Sequence, residues 1–212
     1  MKIGIIGSGE VGQKLADGFI AIGHTVKIGT RSPEKVAQWA ARHGGKAFVG
    51  SFSDAASFGE IAVLATSWEG VPGALQLAGA GNFSGKVVID ITNPLDFSKG
   101  VPPRLAVGRD DSGGETVQRL LPGARVVKAF NIVGNPHMFR PDFPGGPPTM
   151  FICGGSERAK KQVAEILDAF GWETIDIGGI EMSRLLESLA MLWIMYYFKT
   201  GTGNHAFKLL RK

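Results

Sequence analysis

A glycine-rich turn near the start of the chain constrains the fold more than any other feature. Lys2-Ile3-Gly4-Ile5-Ile6 is a short apolar run, and Gly7-Ser8-Gly9-Glu10-Val11-Gly12 follows it at once. Residues 10–22 then place Val11, Leu15, Phe19 and Ile22 on one face at helical spacing, and Gly23 supplies the stop. A strand, a G-x-G-x-x-G turn and an amphipathic helix in that order open a dinucleotide-binding βαβ unit. Each glycine has its own task in such a turn. Gly7 permits the tight bend, Gly9 lets a pyrophosphate approach the backbone, and Gly12 lets the helix pack against the strand. The phosphates then meet free N–H groups and the positive end of the helix dipole. The expected contacts are Gly7, Ser8, Gly9, Glu10, Val11 and Gly12.

The same alternation continues along the chain. Apolar runs that read as strands occur at 25–28, 46–49, 61–65, 86–91, 125–130, 149–153 and 172–177. Between them, Ser32-Pro33 reads as a helix start running to Gly44-Gly45, and Ser112-Gly113-Gly114-Glu115 as a capping box. Ser156 opens a helix that carries Val163, Ile166, Leu167 and Phe170 on one face. Residues 140–148 hold four prolines and two glycines and read as a surface loop. The expected fold is α/β: a Rossmann-type, doubly wound, mainly parallel sheet with a C-terminal helix extension. A single dinucleotide-binding domain is expected over 1–212, with a strand–helix extension over about 149–212. The last helix, near 182–198, is apolar almost all round. One of its faces is expected against the domain and another in a homodimer contact.

Composition narrows the function. With 44% hydrophobic and 20% charged residues the chain is ordinary globular protein. A net charge of +4 suits an anionic ligand, but no basic cluster interleaved with aromatics supports nucleic-acid binding. The one cysteine, Cys153, lies in an apolar run and reads as a small core residue. The four histidines show no metal-ligand spacing, so no metal site is expected. The longest apolar run, 189–198, is too short for a membrane span. The N-terminus does not read as a signal peptide, so the cytoplasm is the expected compartment.

The end of the second strand discriminates between dinucleotides. An NAD site usually carries an acid there to grip the ribose 2′-hydroxyl. This chain reads Gly29-Thr30-Arg31-Ser32, with Lys35 one turn later and no acid at the strand end. A carboxylate would repel a 2′-phosphate, whereas a guanidinium binds one through charge-assisted hydrogen bonds. Thr30, Arg31, Ser32 and Lys35 are therefore the expected 2′-phosphate contacts, and NADP(H) the expected cofactor.

Ligands of such sheets sit beyond the carboxyl ends of the strands. Thr66-Ser67-Trp68, Thr92-Asn93-Pro94-Leu95 and Lys128-Ala129-Phe130-Asn131-Ile132-Val133 reach that edge. Ala65, Thr66, Ser67, Asn93 and Ala129 are expected around the nicotinamide. Asn93, Pro94, Leu95, Asn131 and Val133 are expected around the substrate, with Asn131 on its polar edge. No acid–base constellation appears, and no residue is assigned as catalytic. This favours a ring that accepts a hydride over a hydroxyl substrate that must also lose a proton, because the cofactor carries the chemistry.

Several segments together resemble the coenzyme F420-dependent NADP oxidoreductase family, which includes the reductase domains of the membrane metalloreductases called STEAP proteins. They are Gly7 to Gly12 with Gly29-Thr30-Arg31-Ser32, Asp90-Ile91-Thr92-Asn93-Pro94, Pro122-Gly123-Ala124-Arg125-Val126-Val127-Lys128-Ala129-Phe130-Asn131, and Ser183-Arg184-Leu185-Leu186-Glu187. The resemblance implies hydride exchange between NADPH and a deazaflavin (F420) or flavin, with phosphate contacts at Gly7 to Gly12 and 2′-phosphate contacts at Thr30, Arg31 and Ser32. Archaeal deazaflavin-using members carry His where Asn131 stands, a departure at the acceptor end. Two other functions compete: a β-hydroxyacid or imine dehydrogenase, for which little chain remains to form the added helical domain, and a non-catalytic NADP-binding sensor.

Overall fold

The computed structural model describes all 212 residues, Met1–Lys212. The first half runs β1 (Lys2–Ile6), α1 (Glu10–Ala21), β2 (Thr25–Gly29), α2 (Ala37–His43), β3 (Ala47–Gly50), α3 (Phe52–Phe58), β4 (Ile61–Leu64), α4 (Val71–Ala78) and β5 (Val87–Asp90). A small hairpin, β6 (Leu95–Asp96) and β7 (Arg104–Leu105), follows. The second half is α5 (Gly113–Leu120), β8 (Arg125–Lys128), β9 (Thr149–Gly154), α6 (Glu157–Ala169), β10 (Glu173–Asp176) and α7 (Ser183–Thr200).

Eight strands form one sheet in the order β10-β9-β8-β5-β4-β1-β2-β3. All neighbours are parallel except β8 and β9. The chain winds from β1 out to β3, then returns to lay β4 on the other side of β1. That reversal is the topological switch point, and it opens a crevice at the carboxyl ends of β1 and β4. The central strands are buried on both faces, which is why they read as unbroken apolar runs. One core packs Ile3, Ile5, Phe19, Ile28 and Phe170 on the α1–α6 face. The other packs Ile6, Leu64, Leu75, Val88 and Val126 on the α3–α4 face.

Two helix starts differ from the sequence reading. Pro33–Val36 is a 3-10 turn ahead of the short α2, and the Ser32 side chain does not cap it. Thr30 Oγ1 takes the Ser32 N–H instead, at 3.0 Å, a local turn that competes with a helix cap. The expected capping box at Ser112 is half made. Ser112 Oγ accepts from Glu115 N at 3.1 Å, but Ser112 N donates to Asp111 Oδ1 at 2.8 Å. Glu115 turns to Arg184 on α7, with bonds of 2.6 and 2.9 Å. The Arg184 guanidinium holds the Glu115 carboxyl below the usual range. No helix is long and apolar enough to cross a membrane.

Candidate functional site

The glycine turn leaves β1 and feeds α1, and its three glycines differ in what requires them. Gly7 has φ 126°, and a Cβ there would collide with the Ala65 carbonyl at the end of β4. At Gly12 a Cβ would collide with the Gly7 carbonyl, so this glycine lets α1 pack on the turn. Gly9 is different. A Cβ there would meet nothing within 4 Å. The protein's own packing does not require a glycine at that point, which leaves the space above it for a ligand. Gly9 is also the N-cap of α1 and offers no side-chain bond, so the first-turn N–H groups remain available.

A cleft runs across this turn. Its polar end, about 430 Å³, is lined by Gly7, Ser8 and Gly9, by Thr30, Arg31 and Ser32 at the end of β2, and by Lys35. Ser8 Oγ and Thr30 Oγ1 are hydrogen-bonded at 2.8 Å and tie the first two strand ends together. Arg31 and Lys35 enter none of the chain's ion pairs. The facing wall comes from α3 and α4 through Phe52, Gly70, Gly73, Ala74 and Leu77. The sequence reading missed that wall. Signals for it existed in the Ser51–Asp54 capping box of α3 and in the proline-start, glycine-stop pattern of α4.

The second end, about 700 Å³, shares Gly9, Ala65, Thr66, Ser67 and Glu69 with the first. It adds Glu10, Val11, Trp68, Ile91, Thr92, Asn93, Leu95 and Phe97. Its walls are mainly apolar and aromatic. Thr66 Oγ1 has no hydrogen-bond partner within the chain. Asn135 Nδ2 donates to Glu10 Oε2 at 3.2 Å.

The other expected contacts lie outside the lining. Gly12 sits under the turn, and Pro94 is buried behind the loop that follows β5. Ala129 and Val133 are core residues, 0% and 8% exposed. Asn131, 5% exposed, stands behind Asn93 rather than beside it in the cleft. The physical reason is the backbone at Phe130, which takes a left-handed φ of 60°. A phenylalanine gives no sequence sign of such a conformation.

Behind the cleft lies a buried charge cluster. Lys128 Nζ, fully buried, is 2.9 Å from Asp90 Oδ2 and 2.7 Å from Glu187 Oε1. It also donates to the Thr92 carbonyl at 2.7 Å. Asp90 Oδ1 accepts from the Thr92 N–H and hydroxyl at 2.9 and 2.7 Å. Glu187 accepts from Gly113 N and Gly114 N at 2.9 and 3.0 Å, at the positive end of α5. Burial pulls the Lys128 ammonium down, but the two carboxylates more than offset it and its pKa ends above the ordinary lysine value. Cys153, buried near this cluster, is pushed up to about 11 by burial, so it stays a thiol at neutral pH.

The chain is similar to several known proteins. The family described as NADP oxidoreductase, coenzyme F420-dependent, matches residues 2–94. The F420-dependent NADP reductase of Methanocaldococcus jannaschii is 31% identical, over 96% of this chain and 96% of that protein. The chain belongs to the coenzyme F420-dependent NADP oxidoreductase family. As a member of this family it is an NADP-dependent oxidoreductase. A crystal structure of an Arthrobacter sp. FB24 protein, named as a candidate F420-dependent NADP reductase, superposes at TM-score 0.94 with 39% identity over the full length of both chains. Metalloreductase STEAP3 of Rattus norvegicus is 27% identical over 90% of this chain, which spans 36% of that longer protein. A Streptomyces aurantiacus imine reductase, at 18% identity and TM-score 0.69, shares the fold alone over 94% of this chain and 65% of its own.

The family's NADP(H) fits the residues present. The open space at Gly9, the unpartnered Thr66 hydroxyl and the unpaired cations Arg31 and Lys35 are all features that a phosphorylated dinucleotide would use. The motif segments that resemble the F420-dependent NADP oxidoreductases also converge in space. Asp90, Lys128 and Glu187 come from three of them and meet in the buried cluster.

Proposed function

We propose that this chain transfers a hydride between NADPH and a flat isoalloxazine-type ring, deazaflavin F420 or a flavin. The observation that carries the reading is the two-part cleft. A polar end bearing Arg31, Thr30 and Ser32 continues across Gly9 into an apolar end with Val11, Trp68, Ile91 and Leu95. When bound, NADPH supplies the hydride, and the acceptor ring takes up that hydride together with one proton from solvent. The protein's work is positioning. The α1 N-terminus and the Ser8–Thr30 pair hold phosphates, Arg31 reads the 2′-phosphate, and Asn93 presents its amide at the nicotinamide. The apolar walls exclude water from the face where the two rings meet. The names of the archaeal relatives support F420 as the acceptor.

Stopped-flow mixing of the NADPH-loaded protein with F420 and with free flavins is the direct test. At least one ring should be reduced much faster than by NADPH alone in buffer. If none is, the acceptor is not a ring of this type and the proposal fails.

The active unit in this proposal is a homodimer built on α7. Leu186, Glu187 and Ala190 face inward, whereas Leu185 and Leu192 are 61% and 59% exposed. Met195 and Tyr196, also exposed, fall on the same side of the helix at this spacing. Single exposed apolar residues are common, but a contiguous stripe of this size on a helix marks an interface. A second copy can cover it isologously, α7 against α7. Light scattering across micromolar concentrations should give twice the chain mass, and Leu192→Lys should shift it towards the monomer. A wild-type monomer throughout that range removes the dimer from the proposal.

A further inference from the structure

Asn131 does not line the cleft, but its side-chain N–H groups and backbone carbonyl are all engaged. Its Nδ2 donates to Asn93 Oδ1 at 3.0 Å and to the Leu186 carbonyl of α7 at 3.1 Å. Its backbone carbonyl accepts from Asn93 Nδ2 at 2.8 Å. The contact between the two asparagines is therefore reciprocal. Rotating the Asn93 amide by half a turn would set N–H against N–H and oxygen against oxygen, so only one orientation satisfies the pair. Asn131 is itself fixed by two acceptors, Asn93 Oδ1 and Leu186 O. That arrangement leaves Asn131 Oδ1 buried without a partner. Thr92, one residue before Asn93, is held equally firmly through its N–H, hydroxyl and carbonyl by Asp90 and Lys128.

We propose that Asn131 is a positioning residue that locks the Asn93 side-chain amide in a single orientation at the nicotinamide end of the cleft, with α7 as its anchor. The pairing occupies one N–H and one lone pair of the Asn93 amide. The other N–H and the other lone pair remain, and they point to opposite flanks of the amide. A free asparagine could exchange its donor and acceptor flanks, whereas a locked one fixes which flank donates and so favours one orientation of the nicotinamide carboxamide. The inference rests on the proposed placement of the nicotinamide beside Asn93, and it is independent of which acceptor is used.

The test reads the bound cofactor rather than turnover. NADPH is bound to the wild type, Asn93→Ala, Asn131→Leu and the double variant, and the time-resolved fluorescence anisotropy of its nicotinamide is measured. In the wild type the ring should tumble only with the protein. Each single variant should add a fast local motion, and the double variant should add no more than Asn93→Ala alone. The phosphate contacts are untouched in all four, so each variant still binds NADPH and is measured saturated with it. A merely structural Asn131 would instead give wild-type anisotropy, or an effect that adds to that of Asn93→Ala, and either result overturns the proposal. An unchanged anisotropy in Asn93→Ala also overturns it, by removing the nicotinamide from Asn93, while the stopped-flow assay judges the reductase reading separately. Should Asn131→Leu fail to fold, Asn131→Ser, smaller and still a donor, enters the same cycle with the same expected pattern.

Discussion

Lys128→Met should lower folding stability by about 3–5 kcal/mol, the cost of removing one partner from a buried ion cluster. Lys128, Asp90 and Glu187 are essentially unexposed, so no water can replace the lost ammonium. Two carboxylates would remain, close together in the core, with only the α5 N–H groups on Glu187 and the Thr92 groups on Asp90. Urea unfolding is the measurement. The Lys128→Met/Glu187→Gln double variant should recover part of the loss, because it removes one of the two buried charges, although the amide keeps an accepting oxygen for only one of the Gly113 and Gly114 N–H groups. The pH dependence has a definite sign. The folded pKa of Lys128 is raised, so its contribution is fully present below the unfolded value, about 10.4. It is lost only as pH rises through the folded value, in strong alkali. Lys128→Met should lack that alkaline limb. A loss below about 1 kcal/mol would mean that the cluster contributes no more than a surface pair.

Arg31→Ala should weaken NADPH binding by about 1.5–3 kcal/mol, the range for hydrogen bonds to a charged group. That corresponds to about ten- to one-hundred-and-fifty-fold in dissociation constant. NADH binding should barely change. The side chain lines the polar end of the cleft and has no carboxylate partner to give up. On the proposed reading its whole contribution goes to the 2′-phosphate. Titration calorimetry with both dinucleotides decides the matter. Equal losses for NADPH and NADH would place Arg31 on a phosphate common to both and would falsify the proposed discrimination.

The parts of the fold legible in the sequence share a physical cause. Strands buried on both faces, such as β4 and β5, are apolar apart from the Asp90 that ends β5, so their spans appear directly as apolar runs. The motif from Gly7 to Gly12 is legible because backbone geometry leaves no alternative residue at Gly7 and Gly12. Short helices are harder. α3 has only seven residues, too few to show a 3.6-residue period, and its Ser51–Asp54 cap is the sole local sign.

The candidate site divides in the same way. Thr30, Arg31 and Ser32 are readable because they are neighbours in sequence and in space. The buried cluster is not, because Lys128 and Glu187 stand on β8 and α7, far apart in sequence, and a lysine at a strand end looks like a solvated residue. Asn131 is expected in the cleft because its segment reaches the correct edge of the sheet. Its actual place depends on the positive φ at Phe130 and on α7, neither of which the local sequence announces.

The two ends of the cleft are also separated in the order of synthesis. Every residue lining the polar end lies between Gly7 and Leu77. The groups that fix the other end arrive much later: Lys128 and Asn131 first, then Leu186 and Glu187 on the last helix. A chain still emerging from the ribosome thus holds every residue that lines the polar end for more than half of its elongation, while the partners of the Asn93 side chain are still to come. Cofactor present at that stage can bias the nascent chain towards the native winding of β1 to β4, because whatever binds the folded form favours it. On the proposed reading, the polar end of the cleft can form before the last helix docks, and the Asn93 end is fixed only after it.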